Sequence, residues 1–441
     1  MDRLNGFTAT QLRLSMRLTF TLILGCLAVL FLPLACVDPE DLTLRGTVDI
    51  LVVDGTVTNL AEPQIIRLNR SQADRLTGRF GSLPITKARV EVVMDSLIVT
   101  PAHETTKGNY QLPADFKGQI GHAYQLRLTL SDGTHYESTQ QVMPPTARID
   151  KIRAQFSLKS LSPPVRGYYT SGHDVFIELQ DPADQRNYYR WDWTDYEPQY
   201  WCRSCKQGFY SVYNPIGNIV AGFRSGPDLY EDCYSPSGID PGNPLYGSTL
   251  DYPCRTQCWE LVPSYTVALF DDQYANGGLI SNLKVAAIPF YQHSPCLASV
   301  RQSSLTPDAY RYFKLFADQT QNTGGLADTP PTAPIGNVHN VANAKEVVVG
   351  YFTASGVFSK NIYIDRKDYQ GVPLGYDPIT GYPQQPGGEL FLALYGRSPN
   401  GEGSPRPGSN NFFIDDTPRP PTAVCAPLDQ RTSFKPEGWP N

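Results

Sequence analysis

The chain predicts a mainly β fold. An immunoglobulin-like or transthyretin-like sandwich comes first, followed by a larger β-rich domain with one helix and a cysteine-rich loop insert. Three observations carry this. Short segments alternate apolar and polar residues, as in Tyr124-Gln125-Leu126-Arg127-Leu128-Thr129-Leu130. Turn pairs such as Asp132-Gly133 separate them at short intervals, and alternation between turn signals marks antiparallel sheets. Gly (36), Pro (38) and Tyr (26) are abundant while charged residues are only 18%, the usage of a β-rich, loop-rich extracytoplasmic protein.

At the start, an uncharged apolar run from Leu18 to Ala35 follows Arg17 and ends at Cys36. A short apolar segment with a small residue at its end suits an export signal. Pro33 would disturb a spanning helix there, and no basic residue follows until Arg45. The expectation is cleavage before Cys36 and acylation of its thiol, with an uncleaved anchor and an ordinary signal peptide as the alternatives. Leu32 lies one place earlier than in the usual bacterial lipobox, and Met16-Arg17 makes a better start than Met1. Loss of residues 1–35 removes Arg3, Arg13, Arg17 and Asp2, leaving 34 basic and 42 acidic side chains, a net charge of −8. Such a charge argues against nucleic acid as a partner.

The spans follow in order: a signal segment over 1–35, a lipidated tether over 36–46 and a sandwich over 47–145. A second β-rich domain covers 146–396, and a Gly/Pro-rich tail over 397–441 is expected to dock through Trp439. In the sandwich, strands are predicted at 48–57, 64–68, 88–94, 96–99 and 121–130, closing with 135–142. About seven strands in about 100 residues fit such a module. Met143-Pro144-Pro145 ends it as a stiff joint.

In the second domain, 174–179 alternates and 187–193 is a dense aromatic strand. Residues from about 194 to 260 are loop-like and carry five cysteines. A helix is predicted from Thr306 to about Gln321: Thr306 caps it, Pro307 and Asp308 suit its first turn, and Gly324-Gly325 stop it. Ala309, Tyr312, Phe313 and Phe316 form its inner stripe. Residues 346–354 and 360–364 are predicted as paired strands around Ser355-Gly356, with a short strand at 389–394.

Seven cysteines remain after Cys26 and Cys36: Cys202, Cys205, Cys233, Cys254, Cys258, Cys296 and Cys425. Disulfides stapling a coreless insert are the expectation for an exported protein. The competing arrangement is a zinc site from Cys202-x2-Cys205 and Cys254-x3-Cys258. Connectivity is open.

Chemistry is sparse. The six histidines show no metal spacing, and no nucleophile elbow, P-loop or dinucleotide fingerprint is present. His122 and His135 read as surface residues of one hairpin. Asp271-Asp272 with Asn276 offers oxygens without a calcium-loop spacing, so a turn is preferred. A carboxylate pair of the glycosidase kind leaves no sequence mark. No cofactor is expected. Tyr188, Tyr189, Trp191, Trp193, Tyr200 and Trp201 cluster beside the insert. They are either a ligand or partner surface or, at alternate positions, sheet core. Asn337 and Asn340 read first as turn devices.

Several of these pieces together resemble a Bacteroidota lipoprotein family, numbered forty-two forty-nine among domains of unknown function. They are the lipidated cysteine, Val53-Asp54-Gly55, Gly108-x-Tyr110, Gly121-x-x-Tyr124, Asp132-Gly133-x-x-Tyr136, Asp181-Pro182 and Asn187-Tyr188-Tyr189-Arg190. The most specific are Gly336-Asn337-Val338-x-Asn340 and Gly350-Tyr351-Phe352-x-Ala354-Ser355, and Cys425, Lys435-Pro436 and Trp439 close the match. The resemblance implies an outer-membrane lipoprotein, facing the cell surface or the periplasm, that accompanies a TonB-dependent receptor in nutrient uptake. An extracytoplasmic hydrolase acting on glycans or peptides and a structural envelope lipoprotein are the alternatives.

Overall fold

The structure is a computed structural model. It describes residues 50–73, 80–165, 168–183, 185–199, 201–203, 209–213, 219–224, 252–264, 266–320, 335–371, 424–425 and 430–440. Cys36, the signal segment expected over 1–35, Tyr200, Gly324-Gly325 and the strand expected at 389–394 lie outside them, as do Cys205 and Cys233. The strands run in chain order β1 (Ile50–Thr58), β2 (Ile65–Ala73), β3 (Phe80–Pro84), β4 (Arg89–Met94), β5 (Ile98–Thr106), β6 (Asn109–Gln111), β7 (Ala123–Thr129), β8 (His135–Ser138) and β9 (Gln141–Val142). Then come β10 (Lys151–Val165), β11 (Tyr168–Gln180), β12 (Tyr188–Pro198), β13 (Trp201–Arg203), β14 (Phe209–Tyr213), β15 (Ile219–Arg224), β16 (Tyr252–Pro253), β17 (Trp259–Pro263), β18 (Ala268–Asp271), β19 (Leu279–Pro289) and β20 (Cys296–Ser304). Helix α1 (Pro307–Thr320) follows, then β21 (Val338–Asn340), β22 (Val348–Ser355), β23 (Val357–Ile364) and β24 (Arg431–Thr432). The fold is mainly β, with large sheets.

Eleven strands share the first sheet, in the order β21-β8-β7-β4-β5-β6-β2-β1-β22, with β3 on β2 and β9 on β7. Alternation decides which side chains go inside. In β7, Tyr124, Leu126 and Leu128 are buried and their neighbours are half-exposed, the period-2 outcome of a strand with one wet face. They pack with Leu51, Val53, Ile66, Leu68, Val90, Val92, Tyr110 and Phe352. Two strands of this sheet come from beyond residue 337. β22 lies parallel to β1, pairing Leu51 with Val348 and Thr58 with Ser355. β21 lies antiparallel to β8.

These latecomers are the two ends of the sheet, and they meet. Gly336 N–H donates to the Val348 carbonyl at 3.2 Å, and Ile335 bridges Val349. The Asn337 side chain completes the seam. Its Oδ1 accepts from Phe352 N–H at 2.9 Å and its Nδ2 donates to Phe352 O at 2.9 Å. One amide thus serves both backbone groups that would otherwise lie at an open edge. A Cβ at Gly336 would stand 1.6 Å from Gly350 O, and one at Gly350, whose φ is +97°, would stand 1.9 Å from Val53 O. The Gly336-Asn337 and Gly350-Tyr351-Phe352 motifs are therefore a backbone closure.

The second region holds a three-stranded sheet, β10-β11-β19, and a six-stranded one, β23-β20-β12-β17-β24 with β18 on β12. Its core joins Val175, Ile177, Leu179, Tyr189, Trp191, Trp193, Ile288, Ala298 and Val300. Residues 194–260 were expected as loop. Instead β12 continues to Pro198, and the described parts of the insert pair as β13-β16 and β14-β15. The continuation is physical, because β12 is flanked by β20 up to Tyr196 and by β17 up to Pro198. At the other end of the chain, β24 joins β17. Trp439 meets Trp259 and Tyr363 edge-on at 5.7 and 5.4 Å.

The hairpin expected around Ser355-Gly356 does not form. The chain passes straight through, with β22 in the first sheet and β23 against β20 in the second. Gly356 N–H donates to Pro144 O, and Gly356 O accepts from Ser304 N–H at 2.9 Å. A Cβ there would lie 2.4 Å from Pro144 O. Backbone groups that a hairpin would pair locally are taken by neighbouring chain instead.

Helix α1 lies over this joint. The Thr306 hydroxyl caps it by accepting Ala309 N–H at 3.3 Å and donates to Gln141 Oε1 at 2.9 Å. Tyr310 packs on Tyr188, and Tyr312 on Tyr351. Phe316, expected inside, is exposed, and Tyr310 takes its share of the contact. Among the described residues no helix is long and apolar enough to cross a membrane.

Gly336→Ala should destabilise the protein by about 3 kcal/mol or more, since overpacking against backbone has no cheap relief. Urea denaturation followed by tryptophan fluorescence measures it, and unchanged stability would refute the close-approach reading.

Candidate functional site

The outer face of β4, β7 and β8 forms a groove of about 760 Å³ with the turn after β21. Alternation puts Val90, Val92, Leu126 and Leu128 inside and sends Arg89, Glu91, Arg127 and Glu137 outward. Arg89 pairs with Glu91 at 2.7 Å and Arg127 with Glu137 at 3.4 Å. The Asp132-Gly133 turn and His135 form one wall, and Asn340, Val341 and Ala342 the other. Asp132 accepts the Thr134 N–H at 2.9 Å, which holds its carboxyl below the usual range. His135 Nδ1 contacts Thr129 Oγ1 at 3.0 Å. On the inner side of β8, Tyr136 donates to Glu346 Oε1 at 2.7 Å, and Glu346 Oε2 accepts from Asn340 at 2.6 Å. Burial, then the Glu346 bond, pushes the Tyr136 phenol up to about 12. Asn340 Oδ1 accepts from Ala342 and Asn343 N–H, the turn role expected of it.

Exposed ion pairs of this kind contribute little to stability. A ligand carrying its own carboxylate and cationic or hydroxyl groups can therefore exchange with them at small cost. The groove is suited to binding a polar ligand or a polypeptide edge.

A second polar cluster lies inside the second core. The period of β12 that buries Trp191 and Trp193 also buries Asp195 and Glu197. They meet Arg366, whose guanidinium is fully buried and forked on Glu197, with Nη1 to Oε2 at 3.0 Å. Nη1 also donates to the carbonyls of Gln292 and Ser294 at 3.0 and 2.9 Å. Asp195 Oδ2 is 3.7 Å from Nη2, and among the described residues no donor apart from the adjacent Cys296 thiol reaches its oxygens. Burial, then the Glu197 charge, raises the Asp195 carboxyl well above its ordinary range. Burial likewise raises the Cys296 thiol, so it is not a nucleophile. Burial opposes the charge on Arg366, and its acidic neighbours outweigh that. The cluster is a sealed structural network. Nearby, buried His173 reaches Asp368 at 3.0 Å, and burial lowers its pKa.

The sequence candidates fall in different places. Tyr189, Trp191 and Trp193 are core residues, so they are not a ligand face, because the alternation of β12 turns them inward. Tyr188 is half-buried under Tyr310. Trp201 belongs to β13, and its side chain lies outside the description. Cys202 is bonded to Cys254 and Cys258 to Cys425, and Cys296 is a buried free thiol. Those bonds use the sulfurs that a zinc site would need. The Asp271-Asp272-Asn276 set is divided: Asp271 pairs with Arg186 outside, Asn276 is exposed, and Asp272 is fully buried. Sequence reasoning missed Asp195 and Glu197, although their spacing from Trp193 marks them. Arg366, two residues past β23, carries no such mark.

Arg366→Met should cost about 3–5 kcal/mol, because two acids would be left buried without their cation. Chemical denaturation tests this. Asp195 is raised in the folded state, so its contribution is present below its unfolded pKa and lost as pH rises through the folded one. The stability of Asp195→Asn relative to the parent should therefore increase as pH rises above the ordinary carboxylate range. A flat difference between pH 4 and 8 would contradict the assignment.

No curated protein and no solved structure matches the chain. A family model described as Domain of unknown function (DUF4249) matches residues 37–361. That span contains the closed first sheet, the groove and β12, and the chain belongs to this family.

Proposed function

We propose that the protein is an outer-membrane-anchored lipoprotein, held by acyl chains on Cys36, that acts as a binding and accessory module beside a TonB-dependent receptor in nutrient uptake. One observation supports the reading: the groove opens at the end of the first sheet where β1 begins. β1 begins at Ile50, paired near Ser71 and alongside Val348. Arg89 and Thr129 pair at that same end, while Met94 pairs with Tyr124 at the far end, near Gly118 and Thr58. Residues 37–49 can span at most about 45 Å. A groove at the tethered end is therefore within reach of a partner embedded in the same membrane. Its displaceable ion pairs suit a polar loop of such a partner or a polar nutrient passing to it. More than one acyl chain would make the attachment stable.

Affinity purification of tagged protein from detergent-solubilised outer membrane tests this. A stoichiometric TonB-dependent receptor is expected, and Arg89→Glu with Arg127→Glu should reduce its recovery at least tenfold. Recovery of the protein alone, or an unacylated Cys36, would overturn the reading.

A further inference from the structure

Two buried carboxylates face each other away from the groove and the Arg366 cluster. Asp181 follows β11 and is 2% exposed; Asp272 follows β18 and is 0% exposed. Among the described residues their hydrogen-bond donors are all neutral. Asp181 Oδ1 accepts from Tyr189 O–H at 2.8 Å, and its Oδ2 from Gly277 N–H at 3.2 Å. Asp272 Oδ2 accepts from Asn187 N–H at 2.8 Å. Arg186, a cation within electrostatic reach of Asp272, is bound to Asp271 and Gln273 on the outside. Asp272 Oδ1 is buried and accepts nothing. Burial, together with the Asp272 carboxyl, raises the pKa of Asp181.

The Asn187 amide is out of proportion to its surroundings. Its Nδ2, with two hydrogens, faces four oxygens: Asp272 Oδ2 at 3.1 Å, Gln185 O at 3.2 Å, Pro182 O at 3.4 Å and Asp181 Oδ1 at 3.5 Å. None of these is a short bond. A ring of oxygens exceeding its donors is the donor set of a hard cation, which takes six to eight oxygens from carboxylates and carbonyls. Turning the Asn187 amide over would release its bond from Gln185 Nε2 and present Oδ1 in place of Nδ2. The four oxygens, Asp272 Oδ1 and Asn187 Oδ1 then make six.

We propose that Asp181, Asp272, Asn187 and the Pro182 and Gln185 carbonyls form a calcium site that ties the turn after β11 to the turn after β18. Calcium supplies the positive charge that the two carboxylates lack and a partner for the orphaned Asp272 Oδ1. A proton shared between the two acids is the competing arrangement.

The test uses the full chain stripped with EDTA. Terbium is added as the probe, and its emission is excited through Tyr189, which donates to Asp181, and Trp191, 5.8 Å from Tyr189. Sensitised emission should appear and be displaced by calcium, half-maximally near about 10⁻⁴–10⁻³ M as in other extracellular sites. It should be lost in Asp272→Asn and retained in Asp271→Asn, since Asp271 serves the surface pair with Arg186. Saturating calcium should also raise the melting temperature of the parent protein by several degrees, with magnesium giving less. That measurement stands even if Asp272→Asn fails to fold. Emission unchanged by Asp272→Asn would overturn the site. So would a melting temperature that ignores calcium but rises on acidification from pH 7 to 5, the mark of a shared proton.

Discussion

The passage of one extended segment from sheet to sheet at Gly356 governs the rest of the architecture. β22 closes the first sheet beside β1, and β23 closes the six-stranded sheet beside β20. Neither region is complete without this segment, which arrives about 300 residues after β1. The crossing fits because Gly356 has no side chain to meet Pro144 O. Ser304 then ties both strands of the joint, donating its hydroxyl to Pro144 O at 2.8 Å and its N–H to Gly356 O. Glu62 and Arg301 add an ion pair between the β1–β2 connection and β20. The Pro-Pro joint is therefore one of two strands of chain held together, under a helix that packs on both sides.

Charge is handled in opposite ways in the two regions. On the first sheet it stays outside, in pairs that water screens and a ligand can exchange. In the second core it is taken inside with Arg366, where removing one partner strands the others. A buried ion pair is weak evidence of stability by itself. Here it fixes the end of β12, because Asp195 and Glu197 can go inside only where Arg366 meets them. It also positions the segment after β23 against the Gln292 and Ser294 carbonyls.

Much of the fold was legible because it rests on local rules. Period-2 alternation located β4, β7 and the end of β11, aromatic density located the start of β12, and Thr306-Pro307-Asp308 located α1. What was not legible depends on distant partners. Nothing around Ser355 distinguishes a hairpin from a crossing, since both need a glycine, and Pro144 O and Ser304 decide it. The aromatic strand fitted either a surface or a core until its neighbours were known, and they put Tyr189, Trp191 and Trp193 inside. Of the groove, the Asp132-Gly133 turn and Asn340 stood out, but as turn chemistry. Arg89 and Arg127 came together only because β4 pairs with β7. Asn337 reads as a turn residue, yet it replaces two backbone bonds across a seam that local sequence does not reveal.

The parallel register of β1 and β22 has a mechanical consequence. A load on the chain ahead of Ile50 pulls β1 lengthwise, while β22 is held from its opposite end by β23 and the second core. The eight paired positions from Leu51–Val348 to Thr58–Ser355 are then stressed together in shear rather than peeled one at a time. β2 grips the other edge of β1 over six more. Such a strand yields only when many hydrogen bonds fail at once, so a pull on the chain ahead of Ile50 would leave the sheet closed.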